Sequence, residues 1–326
     1  MNIKNFITVI IIGISIIFFN NCKNKNKQEQ TTESGELKGK ISISGAFALY
    51  PMAVKWAEEF KKIHPLVEID ISAGGAGKGM TDALSKMIDL GMVSRAVSPE
   101  ETAKGAWKIA VTKDAVLPTI NSANPYIKYI KTSGLTREQF SGLFVTGKIK
   151  YWTELYPQID KKQKHQVNVY TRSDACGAAE MWAKYLDKKQ EDLLGTGVFG
   201  DPGIADAVKK DIYGIGYNNV IYAYDIRSRK TYEGMDIIPI DMNANGKIDE
   251  QENFYNSLDS VMLAIQQNRY PSPPARELYF VSKGKPENKI VIEFLKWILN
   301  DGQKYVKEGG YVNLSDDIIK TQLEEL

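Results

Sequence analysis

Between Lys40 and Arg95 the chain alternates segments of apolar period two with segments of period three to four, and nothing else in the sequence restricts the fold as much. Ile41 and Ile43 open a short strand. Ala53, Trp56, Ala57, Phe60 and Ile63 then recur at helical spacing, in a stripe opened by Pro51 and closed before Pro65. Val67, Ile69 and Ile71 alternate again. Met80, Ala83, Leu84, Met87 and Ile88 make a second helical stripe, and "DLGMVSR" reads as a third strand. Such a succession predicts parallel βαβ units in an α/β sheet, where ligands sit at the carboxyl ends of strands, beside helix N-termini. Farther along, Ile109 to Ile120 reads as a strand, and Thr136 with Gln139 forms a capping-box pattern ahead of Phe140, Leu143 and Phe144. "ARELYFVSKGKP" is strand-like, and Val291, Phe294, Leu295 and Ile298 mark a closing helix.

Three loops in this pattern share one logic: "SGAFALYP", "AGGAGKG" and "TRSDACGAAE" each set small residues just ahead of a helix. Glycine lets backbone N–H groups approach a ligand, and the unpaired donors of a helix start favour an anion. Taken singly, each loop is weak evidence, since glycine before a helix is usually only a tight turn. Arg172 adds a fixed fork of donors suited to two oxygens of a tetrahedral anion. Asp174, two residues on, should repel an anion unless that anion carries an acidic proton, which phosphate does at neutral pH and sulfate does not. Spacing alone also fits a surface Arg–Asp pair supporting the turn.

The 326 residues suffice for two domains, and 42 basic residues against 40 acidic, with no basic run interleaved with aromatics, give nucleic-acid binding no support. An apolar run from Phe6 to Phe19 follows Lys4 and ends at Asn20, Asn21 and Cys22; it has signal-peptide length and falls short of the roughly 20 residues that span a bilayer. The lysine-rich segment after Cys22 lacks the apolar surface to order itself. This N-terminus resembles that of a bacterial lipoprotein, exported, cut before Cys22 and lipidated on that thiol. A plain secretory signal or an uncleaved anchor is the other reading.

The ordered set "SGAFALYPMAVKWAEEF", "ISAGGAGKGMTDAL", "DLGMVSR", "NSANP", "LTREQFSGLFVTGKIKYWTEL", "TRSDACGAAEMWAKYL", "GIGY" and "ARELYFVSKGKP" resembles the phosphate-binding proteins that feed phosphate-specific ABC transporters, over about Ile41 to Asn313. The resemblance implies a two-lobed periplasmic-binding-protein-like fold (type II, Venus flytrap) with two crossovers, after a signal peptide over 1–22 and a tether over 23–38. Residues 38–115 and 278–326 would form one lobe and 116–277 the other. It implies a monomer in the cell envelope, periplasm or cell surface, tethered to the membrane by its lipid, capturing an oxyanion for an ABC permease and catalysing nothing. Carried over by position, the anion contacts fall on Ala48, Leu49 and Tyr50, on Ala76, on Ser94 and Arg95, and on Arg172, Asp174, Cys176, Gly177 and Ala178. Ala76, Cys176 and Ala178 stand where the family has hydroxyl residues, and each lost bond to a charged group is worth roughly 1.5–3 kcal/mol. That loss favours, as alternatives, a different anion or a surface or sensory role for the same fold.

"DMNANGKIDEQE", residues 241–252, matches the twelve-residue EF-hand calcium loop. Asp241, Asn243 and Asn245 would offer side-chain oxygens, Lys247 a carbonyl, Asp249 a water-mediated contact and Glu252 two oxygens, with Gly246 at the turn. "DIIPI" ahead of it looks like a strand, so the loop would serve a setting without an entering helix. An Asn-Gly turn with exposed acids is the plain reading. For an enzyme the sequence offers little: its only histidines are His64 and His165, both in contexts that read as surface, and Cys176 has no histidine nearby, though its place beside Arg172 at a helix start suits a reactive thiol.

Overall fold

The structure, a computed structural model, describes residues 35–156 and 164–326. Its strands are β1 (Gly39–Gly45), β2 (Val67–Ala73), β3 (Leu90–Val93), β4 (Ala106–Asn121), β5 (Asn168–Arg172), β6 (Thr196–Val198), β7 (Gly214–Asn219), β8 (Met235–Ile237) and β9 (Ala275–Lys283). They follow one path, β2-β1-β3-β9-β4-β7-β5-β6, with β8 beside β4. β1 pairs in parallel with β2 and β3, as the alternation of strand and helix requires, and β5 does so with β6 and β7.

β4, 16 residues long, joins the two parallel groups. Its first part lies antiparallel to β9, from Ala106 opposite Lys283 to Ala115 opposite Ala275, and its second part pairs with β7 from Val116 to Ile120. The buried apolar residues accordingly fall into two clusters. One gathers residues from Leu37 to Val111 and from Leu278 to Leu314, together with Ile221, and includes Trp56, Phe60 and Phe294. The other holds residues from Ala115 to Ala275, together with Val312, with Phe140, Phe144, Trp182 and Tyr217 packed ring against ring. The architecture is that of a two-lobed periplasmic-binding-protein-like α/β fold in which the chain passes between halves along β4 and back into β9.

The first helix runs Tyr50–Ile63 with Pro51 in its first turn. The Thr136 capping box is realised: Thr136 Oγ1 accepts from Gln139 N–H at 3.2 Å, and Gln139 Oε1 accepts from Thr136 N–H at 2.9 Å. The first apolar stripe ends with its helix, and the second overshoots. Ile63 ends its helix 56% exposed, and the second helix stops at Leu84, before Lys86 at φ 58°, so Met87 stands in solvent. The helices Gly200–Lys210 and Leu258–Gln266 fall in segments where periodicity gave no reading. Cys22 and the start of the tether lie outside the described residues; among those described, no helix is long and apolar enough to cross a membrane.

Candidate functional site

The loops after β1, β2 and β5 meet at one place. Ala46 N–H donates to Met92 C=O (2.9 Å), which fixes the first loop against β3. Gly74 and Gly75 N–H both donate to Gly45 C=O, at 2.9 and 3.0 Å, folding the second loop onto the first. Gly77 N–H donates to Ala175 C=O (3.1 Å), so the helix Ala76–Leu84 starts against the loop after β5. That loop opens the helix Gly177–Tyr185, and a Cβ on Gly177 would lie 2.2 Å from Ser94 C=O and 2.3 Å from Ser94 Oγ. Only glycine permits this approach between a residue of one core cluster's half and a residue of the other's.

The residues gathered here are almost wholly buried: Ala48, Leu49, Ala76, Ser94, Arg172, Cys176 and Ala178 are each at most 6% exposed. Burial makes donor bookkeeping informative, because a buried N–H without an acceptor is rare. Among the described residues, the N–H groups of Ala48, Ala76, Gly177 and Ala178 and the hydroxyl of Ser94 donate to no acceptor in the chain. Leu49 and Tyr50, expected to offer their N–H groups to an anion, are already satisfied: Leu49 donates to Ala46 C=O at 3.1 Å, and Tyr50 to Ala46 and Phe47 C=O at 3.2 and 3.3 Å. The first loop tightens as it enters its helix and consumes those donors.

Arg172, its side chain 1% exposed, lies between two aspartates. Its Nε and Nη2 donate to Asp174 Oδ1 and Oδ2 at 2.7 and 2.6 Å, and Nη1 donates to Asp201 Oδ2 at 2.5 Å. Burial opposes the charge of Arg172, but Asp201 and Asp174 more than offset it, and the guanidinium is held protonated. Three of its five N–H groups are used, leaving two for a ligand. Asp174 Oδ1 also accepts from Gly200 N–H (3.1 Å), which leaves lone-pair capacity on Oδ2, the oxygen facing Gly75. Asp201 was not anticipated from sequence: it lies 29 residues from Arg172, in the first turn of Gly200–Lys210, where an acid reads as an ordinary helix-start residue. Its Oδ1 accepts from Asn219 N–H at 3.0 Å, tying the arginine to the end of β7. Phe47 covers the site, its ring 5.5 Å from the Arg172 guanidinium and 5.9 Å from Phe199 in an edge contact.

Arg95, placed on the anion by position, is engaged elsewhere. Its Nη1 and Nη2 donate to Glu101 at 2.8 and 2.6 Å, and its Nε lies 3.0 Å from Glu180 Oε2. Two carboxylates thus occupy its fork, and the Glu180 pair bridges the two halves. Tyr222 donates its hydroxyl to Phe47 C=O (3.2 Å). Behind the site, Arg276 donates to Gly177 C=O (3.0 Å) while its Nε pairs with buried Asp114 (2.9 Å), so the peptide opening the helix is held from the rear.

Cys176 caps that helix, its Sγ accepting from Ala179 N–H at 3.4 Å. Burial pushes the thiol up to about 12 despite the pull of Arg172, so it stays protonated at neutral pH and the reactive-thiol expectation finds no support in this environment. His64 caps the first helix against Phe60, and His165, half-buried, meets Tyr126 Oη through Nδ1 at 2.8 Å and stacks on Tyr213; neither approaches Cys176 in any contact.

The 241–252 loop lies in the same half as Arg172 and is bolted to a different element. Ile248 N–H donates to Thr132 C=O (2.8 Å) and Asp241 N–H to Leu135 C=O (3.1 Å), and among the described residues no backbone hydrogen bond joins it to an anion-site residue.

A two-lobed fold with an enclosed polar site between its halves defines a class of ligand-capturing proteins, and comparison agrees. A family model described as the PBP superfamily domain matches residues 29–302, and the chain belongs to that superfamily. Among curated proteins, the phosphate-binding protein of Staphylococcus aureus (strain MRSA252) is 24% identical over 299 residues, covering 90% of this chain and 84% of that one. The phosphate-binding protein of Methanocaldococcus jannaschii is 28% identical over 320 residues, covering 82% and 81%. A solved structure from Clostridium perfringens, described as a phosphate ABC transporter substrate-binding protein with bound phosphate, superposes with a TM-score of 0.67 at 22% identity, over 85% of this chain and all of that one. An ABC-type phosphate transport receptor from Vibrio cholerae gives 0.60 at 17% identity, over 84% and 100%. These structural likenesses establish the fold.

Proposed function

We propose that this protein captures an oxyanion, inorganic phosphate first, between its two lobes and delivers it to an ABC permease, held at the cell envelope by a lipid on Cys22 and acting as a monomer without catalysis. The observation that carries the reading is the set of buried, unbonded donors at Ala48, Ala76, Ser94, Gly177 and Ala178 around Arg172. They come from both halves, so an anion touching all of them binds the closed arrangement better than an open one and draws the population toward it. Peptide N–H groups at the two helix starts would do the work of the hydroxyls that Ala76, Cys176 and Ala178 lack.

The charge balance speaks to selectivity. Arg172 is matched against Asp174 and Asp201, a formal charge of −1, so the side chains alone do not attract a dianion. A ligand that brings its own proton can donate it to the remaining lone pair on Asp174, as hydrogen phosphate does and sulfate cannot. The curated relatives' names and the bound phosphate in the Clostridium structure support the same ligand. A sensory or surface role is the second reading, favoured by the capture of Arg95 by Glu101 and Glu180.

Equilibrium dialysis against radiolabelled phosphate checks the assignment. The protein should retain one phosphate per chain and the Arg172→Ala variant almost none; equal retention by both would remove Arg172 from the site. Lipidation is checked by mass spectrometry of the membrane-associated protein, which should show acylation at Cys22 that disappears in Cys22→Ser.

A further inference from the structure

We infer that the loop over residues 241–252 is a calcium site that fastens the half of the molecule containing Arg172, independent of the anion site. Its oxygens follow the spacing of Asp241, Asn243, Asn245, Lys247 and Glu252, the donor pattern of a hard cation with six or seven ligands. The structure adds an observation that spacing cannot provide. Asp241 and Glu252, the first and last residues of the loop, are only 2% and 3% exposed, and no ion pair among the described residues reaches either. The loop's one cation, Lys247, is turned to Asp249 instead, at 3.1 Å.

Two buried carboxylates at the ends of one loop, with no cationic side chain on either, make a place for a bound cation, since buried charges are paired or coordinate metals. Both are turned inward. Asp241 accepts from Asn245 and Gly246 N–H at 3.2 and 2.8 Å, while Glu252 Oε1 accepts from Met242 and Asn243 N–H at 2.8 and 3.4 Å and its Oε2 from Asp249 N–H at 3.1 Å. These contacts leave each carboxylate with free lone pairs. The Lys247 carbonyl accepts no hydrogen bond among the described residues, as a ligand carbonyl requires. Gly246 sits at φ +81°, a backbone position that favours glycine.

No group of three or more His, Cys, Asp or Glu among the described residues is disposed to hold a metal ion. A cation here would have to draw on a mixed set of carboxylate, amide and peptide oxygens. That is calcium's preference, not zinc's, and a terminal glutamate offering two oxygens suits calcium over the smaller magnesium. The loop lacks its flanking helices: β8 precedes it, and Leu258–Gln266 begins well after Glu252. It is anchored instead by Ile248, whose N–H reaches Thr132 and whose side chain packs at Gly134. Binding would close the loop over the turn that joins the helices Ile127–Ser133 and Arg137–Phe144.

The test is calorimetric titration of the purified, EDTA-stripped protein with calcium chloride and separately with magnesium chloride, together with melting curves in each. One calcium per chain is expected, with a dissociation constant on the order of 10⁻⁴ M or tighter, a melting point raised by calcium, and magnesium far weaker. Glu252→Gln should weaken calcium at least about tenfold and lose the melting shift, leaving phosphate affinity within about twofold. Should Glu252→Gln fail to fold, Asn245→Ala, at an exposed position, carries the same expectation for calcium. Absence of any calcium-dependent heat or melting shift in the unaltered protein, or the same calcium affinity in Asn245→Ala, overturns the site.

Discussion

Replacing Arg172 with methionine keeps much of the side chain's volume and removes its charge. Asp174 and Asp201, whose side chains are 8% and 1% exposed, would then face each other as buried carboxylates without their cation. Removing one partner from a buried ion pair costs about 3–5 kcal/mol, because the charge left behind is uncompensated. At about 2 °C per kcal/mol for a chain of this size, the melting point in phosphate-free buffer should fall by roughly 6–10 °C. The triple variant Arg172→Met, Asp174→Asn, Asp201→Asn should recover most of that fall, since the asparagine oxygens still accept from Gly200 and Asn219 N–H. It should not recover phosphate binding, because the guanidinium fork is gone. Scanning calorimetry and a phosphate titration on the same samples separate the two effects. A single variant melting within about 2 °C of the unaltered protein, or a triple variant no more stable than the single one, would refute the balanced-charge account.

Other expectations follow from named contacts. Gly177→Ala must push the helix start away from Ser94, where its Cβ would lie 2.2 Å from the carbonyl oxygen, and phosphate affinity should drop about 100-fold or more with helix content unchanged in circular dichroism. Unaltered affinity would remove that helix start from the site. Since burial pushes Cys176 up to about 12, its thiolate fraction at pH 7 to 9 lies about a thousandfold below that of an ordinary thiol, and iodoacetamide should label it only after unfolding. Fast labelling of the folded protein near pH 7 would revive a reactive role. Glu180→Gln cuts the 3.0 Å bridge to Arg95, so the anion-free protein should show a larger radius of gyration in solution scattering. An unchanged radius would show that this pair does not bias closure.

The readability of this chain followed contact range. The first βαβ stretch was legible because each element announces itself locally: Pro51 opens one helix, and Val67, Ile69 and Ile71 alternate along β2. Arg172 and Asp174 were legible as a pair because they sit two residues apart at the end of β5. Asp201 was not, because an acid in the first turn of a helix is ordinary and its partner Arg172 lies 29 residues away at the end of β5. Positional carry-over placed Arg95 on the ligand, and sequence held no sign that Glu101 and Glu180 would enclose it. Likewise, the periodicity through Met87 ran past Leu84, where its helix stops, and Ile63 ends its helix exposed, since an apolar spacing says nothing about which residue finds a neighbouring layer.

Closure around an anion by peptide donors and one doubly paired arginine is the core of the account, and calorimetric titration of the anion-stripped protein with phosphate and then with sulfate at neutral pH tests it most directly. Micromolar or tighter binding of one phosphate, with sulfate silent, is the predicted result, because only phosphate brings a proton for Asp174. Silence with phosphate, or equal binding of sulfate, would contradict it.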